Sequence, residues 1–261
     1  MASRLGGMEE RLRARRDSGA KLLVPYVMAG LADDWVSVLQ AIEAAGADAI
    51  EVGLPFSDPM MDGPIIQAAG VEALRRGTTV HGALDALAGA ELGVPVTVMT
   101  YYNLVFRAGH RRFAASLAAA GVAGAIVPDL SLEELDPWGG PAAAAGIETV
   151  LMVAPSTPPQ RMAAVARRSR GFLYAVARMG VTGERDELSG QATSVVERAM
   201  AVTDLPVLAG IGISSAEQAR RVCSVADGVV VGSALVRRLL EGCGPDGANR
   251  FVGELREALG S

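Results

Sequence analysis

Leu22-Leu-Val-Pro-Tyr-Val-Met-Ala-Gly-Leu-Ala32 opens a series of eight short runs rich in Val, Ile and Leu, and the turn that ends it separates two architectures. The other runs begin near Ala49, Val94, Ala125, Thr149, Phe172, Val207 and Val229, and each is followed by an Ala-rich stretch of helical periodicity. An open, doubly wound sheet normally leads from its first strand into a Gly-rich phosphate-binding turn. Met28-Ala-Gly-Leu-Ala32 lacks that fingerprint. Eight strand-plus-helix units in 261 residues are instead the arithmetic of an α/β protein built as a (β/α)8 TIM barrel. No Pro/Gly/Ser-rich linker or charge block divides the chain, so the expectation is a single TIM-barrel domain over residues 1–261, with an extra N-terminal helix.

Composition removes several classes of function. The formal charge of -5 and the 4% of aromatic residues argue against a nucleic-acid surface, which needs a basic stripe or stacking platforms. The basic run from Arg11 to Arg16 reads as the solvated face of the first helix, because Glu9 and Glu10 share its turns. No apolar run approaches the roughly 18 residues of a membrane span, and MASRLGGMEERLRARR is charged, without a signal-peptide core. Cys223 and Cys243 fit a reduced compartment, and the expected location is cytoplasmic. Metal-ligand spacings are absent, so no metal is expected. Schiff-base chemistry would have to use Lys21, the only lysine, which opens the first strand at the face opposite a barrel's catalytic end. Acid–base chemistry by carboxylates, tyrosines or arginines remains.

The second run supplies the first candidate. In Asp48-Ala-Ile-Glu-Val-Gly-Leu54, alternation sends Ile50, Val52 and Leu54 toward the helices and Ala49, Glu51 and Gly53 into the barrel, where the small residues leave room above Glu51 for a ligand. Burial raises the pKa of an unpaired carboxyl, as a general acid near neutrality requires. The alternative is a structural Glu neutralised by an arginine of a neighbouring strand. The loop Pro55–Gln67 then carries two Asp and three Pro on the catalytic face. Asp62 reads equally well as a second acid–base group or as a helix cap before Gly63-Pro64. Asp58 before Pro59 is compatible with a simple turn. Toward the C-terminus, Ala209-Gly-Ile-Gly-Ile-Ser214 and Val231-Gly-Ser-Ala234 end the seventh and eighth runs just before helices, and Met179-Gly-Val-Thr-Gly183 follows the sixth. Glycines there let backbone amides and a helix N-terminus reach an anion, which makes Gly183, Gly212, Gly232 and Ser233 a phosphate site that needs no lysine.

EVGLPFSDPMMDGPIIQ (Glu51–Gln67), MTYYNLVFRAG (Met99–Gly109), PDLSLEE (Pro128–Glu134), MGVTGERDELS (Met179–Ser189), GIGIS (Gly210–Ser214) and GSALV (Gly232–Val236) together resemble the tryptophan synthase alpha subunit family, in that family's order and across almost the whole chain. The resemblance implies a lyase that cleaves indole-3-glycerol phosphate to indole and glyceraldehyde 3-phosphate, with a pyridoxal-phosphate beta subunit as partner in an alpha2beta2 assembly and no cofactor of its own. It places Glu51 on the catalytic glutamate, Asp62 on the second catalytic carboxylate and Tyr174 on the active-site tyrosine, so it tips Asp62 toward a functional role. It further implies that Tyr101 lines the pocket and that Gly183, Gly212 and Ser233 contact phosphate. Thr182 falls on the mobile sixth loop, where it would bond Asp62 on closure. Asp58 and Pro59 fall on the loop facing the beta subunit.

The sequence departs from the family pattern in the turn Ala29–Asp34, at Tyr26, where many members place Phe beside the indole, and in the charged run Glu184–Glu187. None of these touches Glu51 or Asp62. Two other readings stay open at this point: a free-standing lyase that releases indole for another pathway, and a non-catalytic, regulatory phosphate-binding subunit.

Overall fold

The eight apolar runs are strands β1 (Leu22–Met28), β2 (Ile50–Gly53), β3 (Val96–Met99), β4 (Gly124–Ile126), β5 (Glu148–Val153), β6 (Leu173–Val176), β7 (Val207–Gly210) and β8 (Gly228–Val231). All pair in parallel in chain order, and β8 closes on β1 with Leu22 opposite Gly228. This is the (β/α)8 barrel anticipated from the alternation, in a computed structural model that describes residues 7–177 and 190–260.

Strand alternation produces two apolar layers. Leu23, Val27, Ile50, Val52, Leu173, Val207 and Val229 point outward into a continuous layer beneath the helices. Leu22, Val24, Ala49, Ile126, Val150, Phe172, Leu208 and Val230 fill the barrel interior. Burying both faces of every strand is what near-continuous apolar runs accomplish in a parallel sheet.

Helix α1 (Gly7–Asp17) closes the bottom of that interior, with Met8 and Leu12 fully buried in its cluster. Its start is held by Glu148 at the head of β5, whose carboxylate accepts the backbone N–H groups of Met8 at 3.1 Å and Glu9 at 3.0 Å. The Glu9 carboxylate in turn accepts the Gly171 N–H and the Arg13 Nε–H, both at 3.0 Å. The basic run is therefore more than the solvated face expected of it. Arg13 pairs with Asp204 at 2.5 Å and Arg15 with Asp48 at 3.1 Å, because the helix lies across the rim where strand-end carboxylates converge. Lys21 stands on the same lower rim and donates to the Ala226 carbonyl at 2.9 Å. Among the described residues, no helix is long and apolar enough to cross a membrane.

Candidate active site

At the opposite end of the barrel, the C-terminal strand ends surround a cavity of about 820 Å3. Glu51 reaches it from β2, pointing inward as the alternation required, and is 1% exposed. Its Oε2 has no hydrogen-bond partner among the described residues. Burial, with the nearby Asp62 charge second, pushes its pKa up to about 8. Among the described residues no arginine, lysine or histidine lines the cavity, so the reading of a Glu neutralised by a neighbouring arginine is not realised.

Asp62 lies in the loop between β2 and the helix Pro64–Arg75. The residue at the N-cap of that helix is Gly63, and no side chain caps it, so the capping role open to Asp62 in the sequence is not taken up. Its carboxylate instead borders the cavity, half-buried, with its pKa raised to about 6 by desolvation and held back by a hydrogen bond from Tyr101.

Tyr101 stands behind the loop and is not among the cavity-lining residues. It is the N-cap residue of the helix Tyr102–Ala108 that follows β3. Its hydroxyl accepts the Met61 N–H at 3.0 Å, and its ring stacks on Phe56 with centroids 5.1 Å apart. Tyr101 thus grips both arms of the Asp62 loop. Asp58 is exposed and Pro59 half-buried in the same loop, where the Pro59 carbonyl accepts the Asp62 N–H at 3.1 Å. Met60, next to them, is 80% exposed.

Two tyrosines occupy equivalent seats on the cavity wall. Tyr26 is the register partner of Glu51 on β1, and a Cβ at Gly53 would stand 1.9 Å from its hydroxyl oxygen. Tyr174 of β6 is the register partner of Leu208, and a Cβ at Gly210 would stand 2.4 Å from its ring. In both cases the phenol lies over the glycine two residues up the next strand. The space that Gly53 was expected to leave for a ligand is filled by Tyr26, and Gly210 serves Tyr174 in the same way. Burial raises both phenols well above their ordinary value, with Glu51 adding to each shift.

The glycine turns after β7 and β8 are not equivalent. The helix after β7, Ala216–Cys223, is capped by its own Ser215, which accepts from the Gln218 N–H at 3.3 Å, while the Gln218 side chain takes the Ser214 N–H at 2.8 Å. The helix after β8, Ser233–Leu240, begins at Gly232 with no side-chain cap. Gly212, Gly232 and Ser233 all line the cavity, and Gly212 has a left-handed φ of 78° that glycine adopts without strain. The open helix start after β8 is the natural anion position. Gly183 and Thr182 lie outside the described residues. Sequence reasoning missed the seats at Gly53 and Gly210 and the Phe56–Tyr101 stack. Each depends on cross-strand or cross-loop register, which the spacing of residues along one chain does not encode.

A family model described as tryptophan synthase alpha chain matches residues 12–256. The tryptophan synthase alpha chain of Microcystis aeruginosa is 41% identical over 258 residues, covering 96% of this chain and 98% of that one. That of Thermobifida fusca is 43% identical over 258 residues, covering 97% and 96%. A solved structure of tryptophan synthase from Mycobacterium tuberculosis matches with a TM-score of 0.89 at 40% identity, covering 98% of each chain.

Proposed function

The chain belongs to the tryptophan synthase alpha chain family, and on that premise we propose how its barrel mouth divides the family's reaction among Glu51, Asp62 and Tyr174. The reaction is the retro-aldol cleavage of indole-3-glycerol phosphate to indole and glyceraldehyde 3-phosphate, a carbon–carbon lyase step of tryptophan biosynthesis. The observation that carries the assignment is that two carboxyls line one cavity in different surroundings. Glu51 is buried with no partner for its Oε2 among the described residues, and Asp62 is half-buried at the loop. Burial pushes them up to about 8 and about 6 respectively. Environments that push two carboxyls apart assign the acid and the base.

Near neutral pH Glu51 holds its proton and Asp62 is ionised. Glu51 gives its proton to indole C3, which leaves the ring a cation with its charge on the nitrogen side. Asp62 accepts the indole N–H and stabilises that cation. The Glu51 carboxylate then takes the hydroxyl proton of the attached glycerol carbon. As the aldehyde forms, the carbon–carbon bond breaks, its electrons return to the ring, and Glu51 ends protonated as it began. Tyr174, seated over Gly210 on the neighbouring strand, supplies part of the wall of the same cavity. The phosphate sits on the amides around Gly212, Gly232 and Ser233, with Gly183 as a further contact and Thr182 bonding Asp62 on loop closure, both inferred from the family resemblance.

The partner is a tryptophan synthase beta subunit, which we place against the loop carrying Asp58 and Pro59 in an alpha2beta2 assembly. We further read residues 1–261 as one domain working in the cytoplasm without a cofactor of its own. The test is indole release from indole-3-glycerol phosphate by this chain alone and with a beta subunit. Release that rises steeply with the partner is the expected result. Fast release without it favours a free-standing lyase, and no release under either condition overturns the assignment.

A further inference from the structure

Glu51 faces a difficulty that the cavity must solve. Protonated, it needs no donor. Once it has passed its proton on, it becomes a buried carboxylate whose Oε2 has no hydrogen-bond partner among the described residues. An ionised group left in that state is costly. The groups that face it are Tyr26 from β1, Tyr174 from β6 and Asp62 from the loop after β2, and behind Asp62 stands Tyr101 at the end of β3. Tyr101 already serves Asp62 and the Met61 N–H from the loop side.

Tyr26 is differently placed. It starts level with Glu51 in the strand register, and its phenol climbs toward the mouth until the hydroxyl lies over Gly53. From that seat it shares the cavity with Asp62 and Glu51, and both charges bear on it. We propose that Tyr26 is a positioning residue for the acid–base pair: from its seat over Gly53, two residues above Glu51, its hydroxyl donates to Glu51 once Glu51 has released its proton. The proposal rests on the lyase reading above. Burial keeps the phenol protonated, so it acts as a donor and never as the proton source. Gly53 is part of the device, since any side chain there would displace the hydroxyl.

Tyr26→Phe removes only the oxygen, so the fold and the apolar wall are kept. The full chain labelled with 13C-carboxyl glutamate allows Glu51 to be titrated by NMR, its resonance assigned by its loss in Glu51→Gln. Loss of one donor to the ionised form is expected to raise the Glu51 midpoint by about half to one pH unit in Tyr26→Phe. Gly53→Ala, which pushes the hydroxyl off its seat without deleting it, is expected to shift the midpoint in the same direction. In steady-state indole release with the beta subunit, kcat is expected to fall roughly 3- to 10-fold with KM little changed, and the alkaline limb of the pH profile moves up with the midpoint. An unchanged Glu51 midpoint in Tyr26→Phe overturns the proposal. Absent indole release in the wild type, with the midpoint still shifted by Tyr26→Phe, overturns the lyase reading and leaves the Tyr26–Glu51 contact standing.

Discussion

The hydroxyl of Tyr101 accepts the backbone N–H of Met61 at 3.0 Å, one residue before the carboxylate that the same hydroxyl serves. Tyr101→Phe keeps the Phe56 stack but removes that anchor. Asp62 then loses the contact that holds its pKa back and moves above about 6. The acid limb of the kcat/KM profile is expected to shift to higher pH, with activity near pH 6.5 falling several-fold and recovering toward pH 8. A profile superimposable on the wild type contradicts this role for Tyr101.

Glu51→Gln is expected to cut turnover by at least roughly 100-fold while the protein stays folded. Its effect on stability carries a distinctive sign. Burial pushes the folded Glu51 up to about 8 from the 4.5 of a free glutamate, so the native state binds the extra proton throughout that interval. The stability tied to this proton is complete below the unfolded value and is lost as pH rises through the folded one. The mutant lacks that dependence. Urea unfolding at pH 8.5 should therefore find Glu51→Gln the more stable protein, by on the order of a few kcal/mol, with the gap closing toward pH 4.5.

Gly210→Ala tests the seat of Tyr174. The added carbon would lie 2.4 Å from the phenol ring, so the ring must move. Overpacking of this kind costs about 1–3 kcal/mol. Turnover should fall with the displaced tyrosine, by as much as in Tyr174→Phe. Thermal melting and kcat measured on both variants check the pairing.

At the anion end, Ser233→Ala removes a hydroxyl but leaves the helix amides, and is expected to weaken glycerol 3-phosphate binding by only a few-fold. Gly212→Ala places a side chain at a φ of 78°, a strain of about 1–2 kcal/mol that displaces the turn itself. It should weaken binding more than Ser233→Ala does. Calorimetric titration with glycerol 3-phosphate ranks the two.

The Glu148 carboxylate caps α1 at the far end of the barrel and is held up to about 7 by burial, the N–H groups of Glu9 and Met8 opposing that shift. Glu148→Ala should cost roughly 0.5–2 kcal/mol of stability and leave kcat unchanged, because nothing at the mouth touches it. A fall in kcat at full folding would show coupling between the two ends of the barrel.

The strand count, the barrel and the inward direction of Glu51 were legible because a parallel barrel imposes strict alternation on its strands. Asp62 was not, since an Asp before Gly63-Pro64 satisfies capping and catalysis equally well until the backbone shows Gly63 at the cap. The Arg11–Arg16 run was misjudged for a related reason. Its partners Asp48 and Asp204 lie far away in the chain and meet it only when the strand ends converge. The family resemblance marked Tyr174 and Tyr26 as site residues, but only the register that sets Gly53 and Gly210 beneath them shows why each glycine is there.

A recognition site made largely of main chain has a particular evolutionary property. Most substitutions change side chains and leave amides where they are, so the proposed grip on phosphate by the amides of Gly232 and Ser233 is insulated from mutational drift, with Gly212 the exception because its left-handed φ suits glycine. The other half of the cavity, read by Tyr26, Asp62 and the methionines around them, has no such insulation. A lineage built on this chain can exchange the group attached to the phosphate handle while the handle stays the same.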